Sequence, residues 1–177
     1  MRLVAQVFLA YFMVLLVAAL WRMLPIGRAI PDLVALSAVY IGLTARERLA
    51  PAMLAAVVMG YLADLLIGTP GGLLSTSAGL MCLLGHFVQG RLVVRGRLVT
   101  AAFAFMVGLV SAAVFMALRS WLGLLSESLA SDLVTGLLSA LLTGLVGPLV
   151  FRLCRKTDAR FARTRRERDA AAEGLSP

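Results

Sequence analysis

Apolar residues occur along the chain in six long runs that are separated by short polar or glycine- and proline-containing stretches. The runs cover residues 3–21, 32–45, 49–68, 71–90, 98–119 and 132–153. Five of them reach the ~20 residues that a helix needs to cross ~30 Å of hydrocarbon. The pattern therefore predicts an all-α integral membrane protein built as a bundle of six transmembrane helices.

The second run is the exception, because it offers only 14 residues between Pro31 and Arg46. Such a segment either crosses where protein thins the local membrane or turns back as a re-entrant hairpin. The basic residues favour a crossing. With six crossings and a cytoplasmic N-terminus, fourteen of the 17 lysines and arginines lie inside, and only Arg22, Arg28 and Arg119 lie outside. Both termini are thus expected to be cytoplasmic.

Composition agrees with this class and argues against nucleic-acid binding. Hydrophobic residues make up 61% of the 177 residues and charged residues 15%, against roughly 25% charged in a soluble domain. The net charge of +8 resides in residues that lie between and after the apolar runs, not interleaved with aromatic residues on a polar surface. It is explained by membrane orientation, and no nucleic-acid partner is expected.

The composition changes after the last apolar run. Residues 1–154 are assigned to the transmembrane domain, and residues 155–177 to a basic cytoplasmic tail that begins as a continuation of the last helix. The basic side chains of the tail are suited to contact anionic lipid, at ~1 kcal/mol per residue near the surface. A role as a topology anchor alone explains them equally well.

A single acid, Asp64, lies in the third run, with no other charged residue within eleven positions of it. An ionised carboxylate in hydrocarbon costs ~3 kcal/mol or more, so this residue requires partners. It shares one helix face with three small residues at intervals of four, Ala52, Ala56 and Gly60. The sixth run has a similar small-residue face at Gly136, Ala140 and Gly144. Both faces favour close helix packing.

Two sources of partners for Asp64 are apparent. The turn that follows it contains Gly68, Pro70, Gly71 and Gly72. The fourth helix starts after this turn with unpaired backbone N–H groups, which favour a nearby carboxylate. Arg119, at the outer end of the fifth run, has a suitable depth to form an ion pair with Asp64.

Two further acids stand at predicted outer helix starts. Asp32 follows Pro31, and Asp132 follows Ser131. For both acids we favour N-terminal capping over a binding role, because Asp is among the best capping residues and Pro is common at a helix start.

The sequence lacks the residue patterns that catalysis or metal binding would require. The sequence has one His, no Ser-His-Asp set, no HExxH motif, no phosphate loop and no paired carboxylates. Cys82 and Cys154 lie in or beside apolar segments without the spacing of a metal site, so we expect free thiols. We therefore expect a protein that is not an enzyme and that uses no cofactor.

Two stretches taken together, PDLVALSAVYIGL from Pro31 and GYLADLLIGTPGGL from Gly60, resemble the bacterial rod shape-determining MreD family. In that family a Pro-Asp start precedes an apolar segment, and Gly-x-x-x-Asp-Leu-Leu is followed by a glycine-containing turn. Chain length, six-span layout and cytoplasmic termini also fit. The specific residues lie between Pro31 and Leu73, and the tail beyond Arg155 is longer than the family pattern.

The resemblance implies a non-enzymatic scaffold subunit of the cell-elongation machinery in the bacterial cytoplasmic (inner) membrane, which helps to organise peptidoglycan synthesis. It implies direct binding to MreC, and membership of one assembly with RodA, a penicillin-binding transpeptidase and the MreB filament. With Arg119 added, the candidates for structural or partner-interface roles are Pro31, Asp32, Gly60, Asp64, Gly68, Pro70, Gly71, Gly72 and Arg119.

The MreD layout also resembles the substrate-binding subunits of energy-coupling-factor transporters. This likeness implies an alternative function, a six-helix bundle that binds a small molecule from outside. Such a subunit should carry several polar or aromatic residues that converge in an outer cavity. The outer half of this chain offers Asp64, Arg119, Asp32 and little else, so the scaffold is the favoured interpretation.

Overall fold

The computed structural model describes residues 2–23, 30–45, 49–68, 71–89, 97–123 and 129–161. Within these ranges the chain forms six helices and no strand. The helices are α1 Arg2–Met23, α2 Leu33–Thr44, α3 Leu49–Ile67, α4 Leu73–Val88, α5 Arg97–Trp121 and α6 Leu129–Phe161. Each helix coincides with one predicted apolar run, which confirms the all-helical class. Among the described residues, α3, α5 and α6 are long and apolar enough to cross a membrane. The six-span layout stays a prediction.

Helix α2 lies at the centre of the bundle. All of its residues from Leu33 to Leu43 are buried, and it packs against each of the other five helices. It is one unbroken helix of 12 residues, about 18 Å long, and so shorter than the ~30 Å of a bilayer core. A helix that is enclosed by protein has no lipid-facing side, which explains why its sequence is apolar all round.

Helices α2 and α4 cross at two glycines. A Cβ atom on Gly42 would lie 2.1 Å from the carbonyl oxygen of Cys82, and one on Gly85 would lie 2.5 Å from the carbonyl oxygen of Val39. Both obstacles are backbone atoms, so neither can rotate aside. The close approach of these two helices therefore requires glycine at both positions.

Helices α5 and α6 pack through the small-residue face of the sixth run. A Cβ atom on Gly147 would lie 2.2 Å from the Cβ of Ala104, and one on Gly108 would lie 2.8 Å from the Cα of Ala140. Ala140 is fully buried. These contacts agree with the packing role that the sequence predicts for this face.

A buried polar cluster joins three helices at the end of the bundle where α6 ends. Asp158 is 3% exposed and accepts hydrogen bonds from the Tyr40 hydroxyl, at 2.9 Å, and from the Gln6 side-chain amide. We call these three residues the Asp158 cluster. The Tyr40 ring also packs edge-on against Phe151, with 5.6 Å between the ring centroids. Helices α1, α2 and α6 are thereby tied together.

The Asp158 cluster shows that the first part of the predicted basic tail belongs to the helical bundle. Helix α6 continues without a break to Phe161, so residues 155–161 belong to it. Asp158, which the sequence places in the tail, is a core residue. Residues 162–177 lie outside the described part of the chain.

The glycine crossing predicts a specific response to added bulk. Gly85→Ala should lower the midpoint of thermal unfolding by several degrees, because the new methyl group meets the α2 backbone and overpacking costs ~1–3 kcal/mol. Unfolding in detergent is followed by a thiol-reactive dye, since Cys82 and Cys154 are both buried. Gly79→Ala is the matched control, because its Cβ would meet only the Cγ2 of Val57, at 3.3 Å. Equal midpoints for the two variants would contradict the tight crossing.

A pair of truncations tests the Asp158 cluster. A chain that ends at Phe161 should unfold at the temperature of the full chain. A chain that ends at Cys154 should unfold at a lower temperature, because Tyr40 and Gln6 lose their buried acceptor, at ~1–3 kcal/mol for each unsatisfied group. Thermal unfolding is followed by circular dichroism for both chains, because the shorter one leaves Cys154 at its end, where the dye would reach the thiol. If the two truncated chains behave alike, the cluster contributes nothing to stability.

Candidate functional site

The buried carboxylate of Asp64 accepts hydrogen bonds from three backbone N–H groups at the start of α4. Its Oδ2 accepts from Gly72, at 3.0 Å, and from Ser75, at 3.2 Å, and its Oδ1 accepts from Leu74, at 3.0 Å. Gly72 is the N-cap residue of α4 and has no side chain with which to cap it. Asp64 supplies the missing acceptor from α3. This is the interaction with the helix start that the sequence predicts.

Glycines shape the turn between α3 and α4. Gly68 and Gly72 have φ angles of 73° and 99°, in the left-handed region that favours glycine. The Gly68 N–H donates to the Asp64 carbonyl oxygen, at 3.0 Å, and closes the end of α3. A Cβ atom on Gly71 would meet nothing within 4 Å, and Pro70 lies outside the described residues. The backbone conformation thus favours glycine at two positions of this turn.

Gly60 sets how closely α3 and α4 approach. A Cβ atom at this position would lie 2.6 Å from the Leu74 carbonyl oxygen and 2.6 Å from the Ser75 Cα. The Ser75 hydroxyl also donates to the carbonyl oxygen of Val57, at 3.2 Å. The missing side chain therefore lets the start of α4 come within reach of Asp64, one helix turn further along α3.

A second carboxylate, Asp32, starts helix α2. Its side chain accepts from the Ala35 N–H, at 2.9 Å, and from the Ser111 hydroxyl of α5. Its own N–H donates to Thr143 Oγ1 of α6, at 2.9 Å. Pro31 precedes it, is buried, and has no N–H that would need a partner. The predicted capping role of Asp32 is confirmed, while its partners Ser111 and Thr143 are not identified by the sequence.

A cavity of about 320 Å³ lies beyond the start of α2, where α5 ends and α6 begins. We call this end of the bundle the Arg119 end. The cavity exists because α2 starts deep in the bundle. The residue that Asp32 contacts on α6, Thr143, is fourteen residues from the first residue of that helix, or about 21 Å.

The walls of the cavity are largely apolar. The apolar side chains on it include Val14, Val17, Leu33, Val34, Phe115 and Met116. The polar side chains on it belong to Asp32, Ser111, Arg119, Asp132, Thr135 and Ser139. The deeper ones bond within the protein, since Ser111 donates to Asp32 and Ser139 donates to the Ile30 carbonyl oxygen. From the sequence, Asp64, Arg119 and Asp32 are expected to be nearly all of the polar residues in this half of the bundle.

A charged pair lies at the more exposed end of the cavity. Arg119 Nη1 is 3.9 Å from Asp132 Oδ2, and the two side chains are 33% and 22% exposed. The guanidinium lies 6.0 Å from the centre of the Phe115 ring. Asp132 lies inside the first turn of α6, which begins at Leu129, so the capping expected for it is wrong. The pairing of Arg119 with Asp64 stays a prediction.

No family model, curated protein sequence or solved structure matches the chain. In the described part of the chain, no group of three His, Cys, Asp or Glu residues is placed to hold a metal ion. The arrangement of these residues is that of two helix-capping carboxylates and one cavity with a charged pair at its exposed end.

The Asp64 cap predicts a graded response to substitution. Asp64→Leu should lower the free energy of unfolding by ~3 kcal/mol or more, because one buried and two partly buried N–H groups lose their acceptor at ~1–3 kcal/mol each. Asp64→Asn keeps one acceptor oxygen and the shape, and should cost ~1–2 kcal/mol. Thermal unfolding in detergent ranks the variants, with Asp132→Asn as the control at a partly exposed acid. Asn as damaging as Leu would show that the negative charge is required.

Proposed function

We propose that this chain is a non-enzymatic scaffold subunit of the bacterial cell-elongation machinery, of the MreD type. It binds MreC and helps to organise peptidoglycan synthesis. The observation that carries the proposal is the Asp64 cap. The residues on which the resemblance rests, among them Gly60, Asp64 and Gly72, build one fixed helical hairpin.

The use of Asp64 supports a structural role over a chemical one. Its carboxylate accepts three backbone hydrogen bonds from the start of α4, so both of its oxygens are engaged within the protein. A substrate that took the place of these donors would undo the start of α4. A residue held in this way fixes the conformation of the surface around the α3–α4 turn. A binding partner such as MreC requires a surface of fixed conformation.

The proposed setting is the bacterial cytoplasmic membrane, with six crossings and both termini in the cytoplasm. The distribution of basic residues supports this orientation. It places the Arg119 end and the α3–α4 turn on the outer side, where the periplasmic domain of MreC would lie. Leu65 and Ile67, which precede the turn, are 66% and 51% exposed and offer an apolar surface there.

The other partners are reached through MreC. The assembly includes RodA, a penicillin-binding transpeptidase and the MreB filament. On the cytoplasmic side, the basic residues after Arg155 are suited to contact anionic lipid. No enzymatic activity, cofactor or nucleic acid enters this function.

The cavity at the Arg119 end favours a second function. A substrate-binding subunit of an energy-coupling-factor-type transporter would need polar residues that converge on such a cavity, and six polar side chains line this one. Several of them are engaged within the protein, as Ser111 is with Asp32. The scaffold therefore remains the better supported function.

The two functions differ in the proteins that they require. The tagged full chain is purified from its own membranes in mild detergent, and co-purified proteins are identified by mass spectrometry. MreC and RodA are expected for the scaffold, and ATPase subunits for the transporter. Asp64→Leu should reduce the recovered MreC several-fold, whereas Asp64→Asn should retain most of it. Leu54→Ala is the control on the same helix as Asp64, because Leu54 is 66% exposed, and it should leave MreC unchanged. Absence of MreC from the wild-type preparation would overturn the proposal.

A further inference from the structure

We propose that the cavity at the Arg119 end is a binding site for one phospholipid with an ammonium-bearing head group. An acyl chain lies along the apolar walls, the phosphate lies against Arg119, and the ammonium group lies against Asp132. The site rests on the membrane setting proposed above. It does not depend on the scaffold function, which assigns no ligand to this cavity.

The dimensions of the cavity suit part of an acyl chain. Its volume of about 320 Å³ lies at the lower end of the ~300–1,000 Å³ of ligand sites. Along α5, Ser111 at its deep end and Arg119 at its exposed end are eight residues apart, or about 12 Å. This depth is close to the ~15 Å of hydrocarbon in one leaflet of a bilayer.

The order of polar and apolar groups along the cavity is that of an amphiphile. At the deep end the Ser111 hydroxyl donates to Asp32, and the Ser139 hydroxyl donates to a backbone oxygen. Thr135 likewise donates within its own helix, to the Ser131 carbonyl oxygen at 2.8 Å. These contacts engage the polar groups of the deeper part, Asp32 included, within the protein, whereas the Arg119–Asp132 pair lies at the exposed end. A fully water-soluble ligand would need polar partners throughout.

The charged pair is complementary to a zwitterionic head group. The planar guanidinium of Arg119 matches the geometry of phosphate oxygens, and the carboxylate of Asp132 is a natural partner for an ammonium group. The two side chains are 3.9 Å apart and remain partly exposed. A phosphate and an ammonium of one head group can therefore lie beside both.

An acyl chain would enter the cavity between α1 and α5. Val14 and Val17 of α1 line the cavity, as does Phe115 of α5. Among the described residues α1 makes no contact with α5, and its side-chain hydrogen bond to α6 lies at the other end of the bundle, between Gln6 and Asp158. Helices α1 and α5 thus both border the cavity without contacting each other in the described part of the chain.

Native mass spectrometry of the full chain with added phosphatidylethanolamine tests the site. One lipid is expected to bind per protein. Val17→Trp, which fills the cavity, should weaken binding at least tenfold. Leu16→Trp is the matched control on the same helix, because Leu16 is 47% exposed and does not line the cavity. Arg119→Gln should weaken binding several-fold, and it keeps the test valid if Val17→Trp fails to fold.

Binding of the isolated head group distinguishes a lipid ligand from a water-soluble one. Glycerophosphoethanolamine, which has the same head group without acyl chains, should neither bind nor displace the lipid. If it binds as well as the lipid, the ligand is a soluble zwitterion and the proposal is overturned. Binding that is insensitive to Val17→Trp and Arg119→Gln would identify a surface lipid and would also overturn it. Neither result bears on MreC recovery, so the scaffold function stands or falls separately.

Discussion

The structure depends on one interaction, the hydrogen bonds between a carboxylate and the first N–H groups of a helix that starts inside the bundle. Backbone donors away from water must be satisfied within the protein, or each costs several kcal/mol. Asp32 meets this requirement for α2 and Asp64 meets it for α4. The favourable charge of each carboxylate at a positive helix end offsets the cost of burying it. The acids that look most out of place in the sequence are therefore what allows two helices to begin where they do.

Short helices are possible in this bundle because longer helices pack beside them. Helices α2 and α4 have 12 and 16 residues, and they meet at Gly42 and Gly85 with their backbones in contact. Helix α6, by contrast, has 33 residues and exposes side chains such as Leu145, at 75%. Because α2 starts well short of the ends of its neighbours, the packing leaves a cavity beyond its first residue. The cap, the glycine crossing and the cavity are consequences of the same short central helix.

The parts of the site that are close in sequence are the parts that the sequence predicts. Asp64 and the donors of α4 lie within eleven residues of each other, so an isolated acid before a glycine turn was enough to connect them. The contacts of Asp32 with Ser111 and Thr143 span 79 and 111 residues, and hydroxyl groups in apolar helices carry no sign of which partner they meet. The burial of Asp158 could not be predicted from the sequence for another reason. It stands among basic residues that look solvated, and only the full length of α6 shows that it is buried.

The enclosure of α2 has a consequence for how the protein is made. The chain is synthesised from its N-terminus, and α2 is complete long before the residues that bind its first turn exist. At ~5–20 residues per second, Thr143 follows Asp32 out of the ribosome only after several seconds or more. Until then, the acid and the backbone donors beside it have no protein partner from α5 or α6. The central helix of the finished bundle is thus among the last to reach its final surroundings.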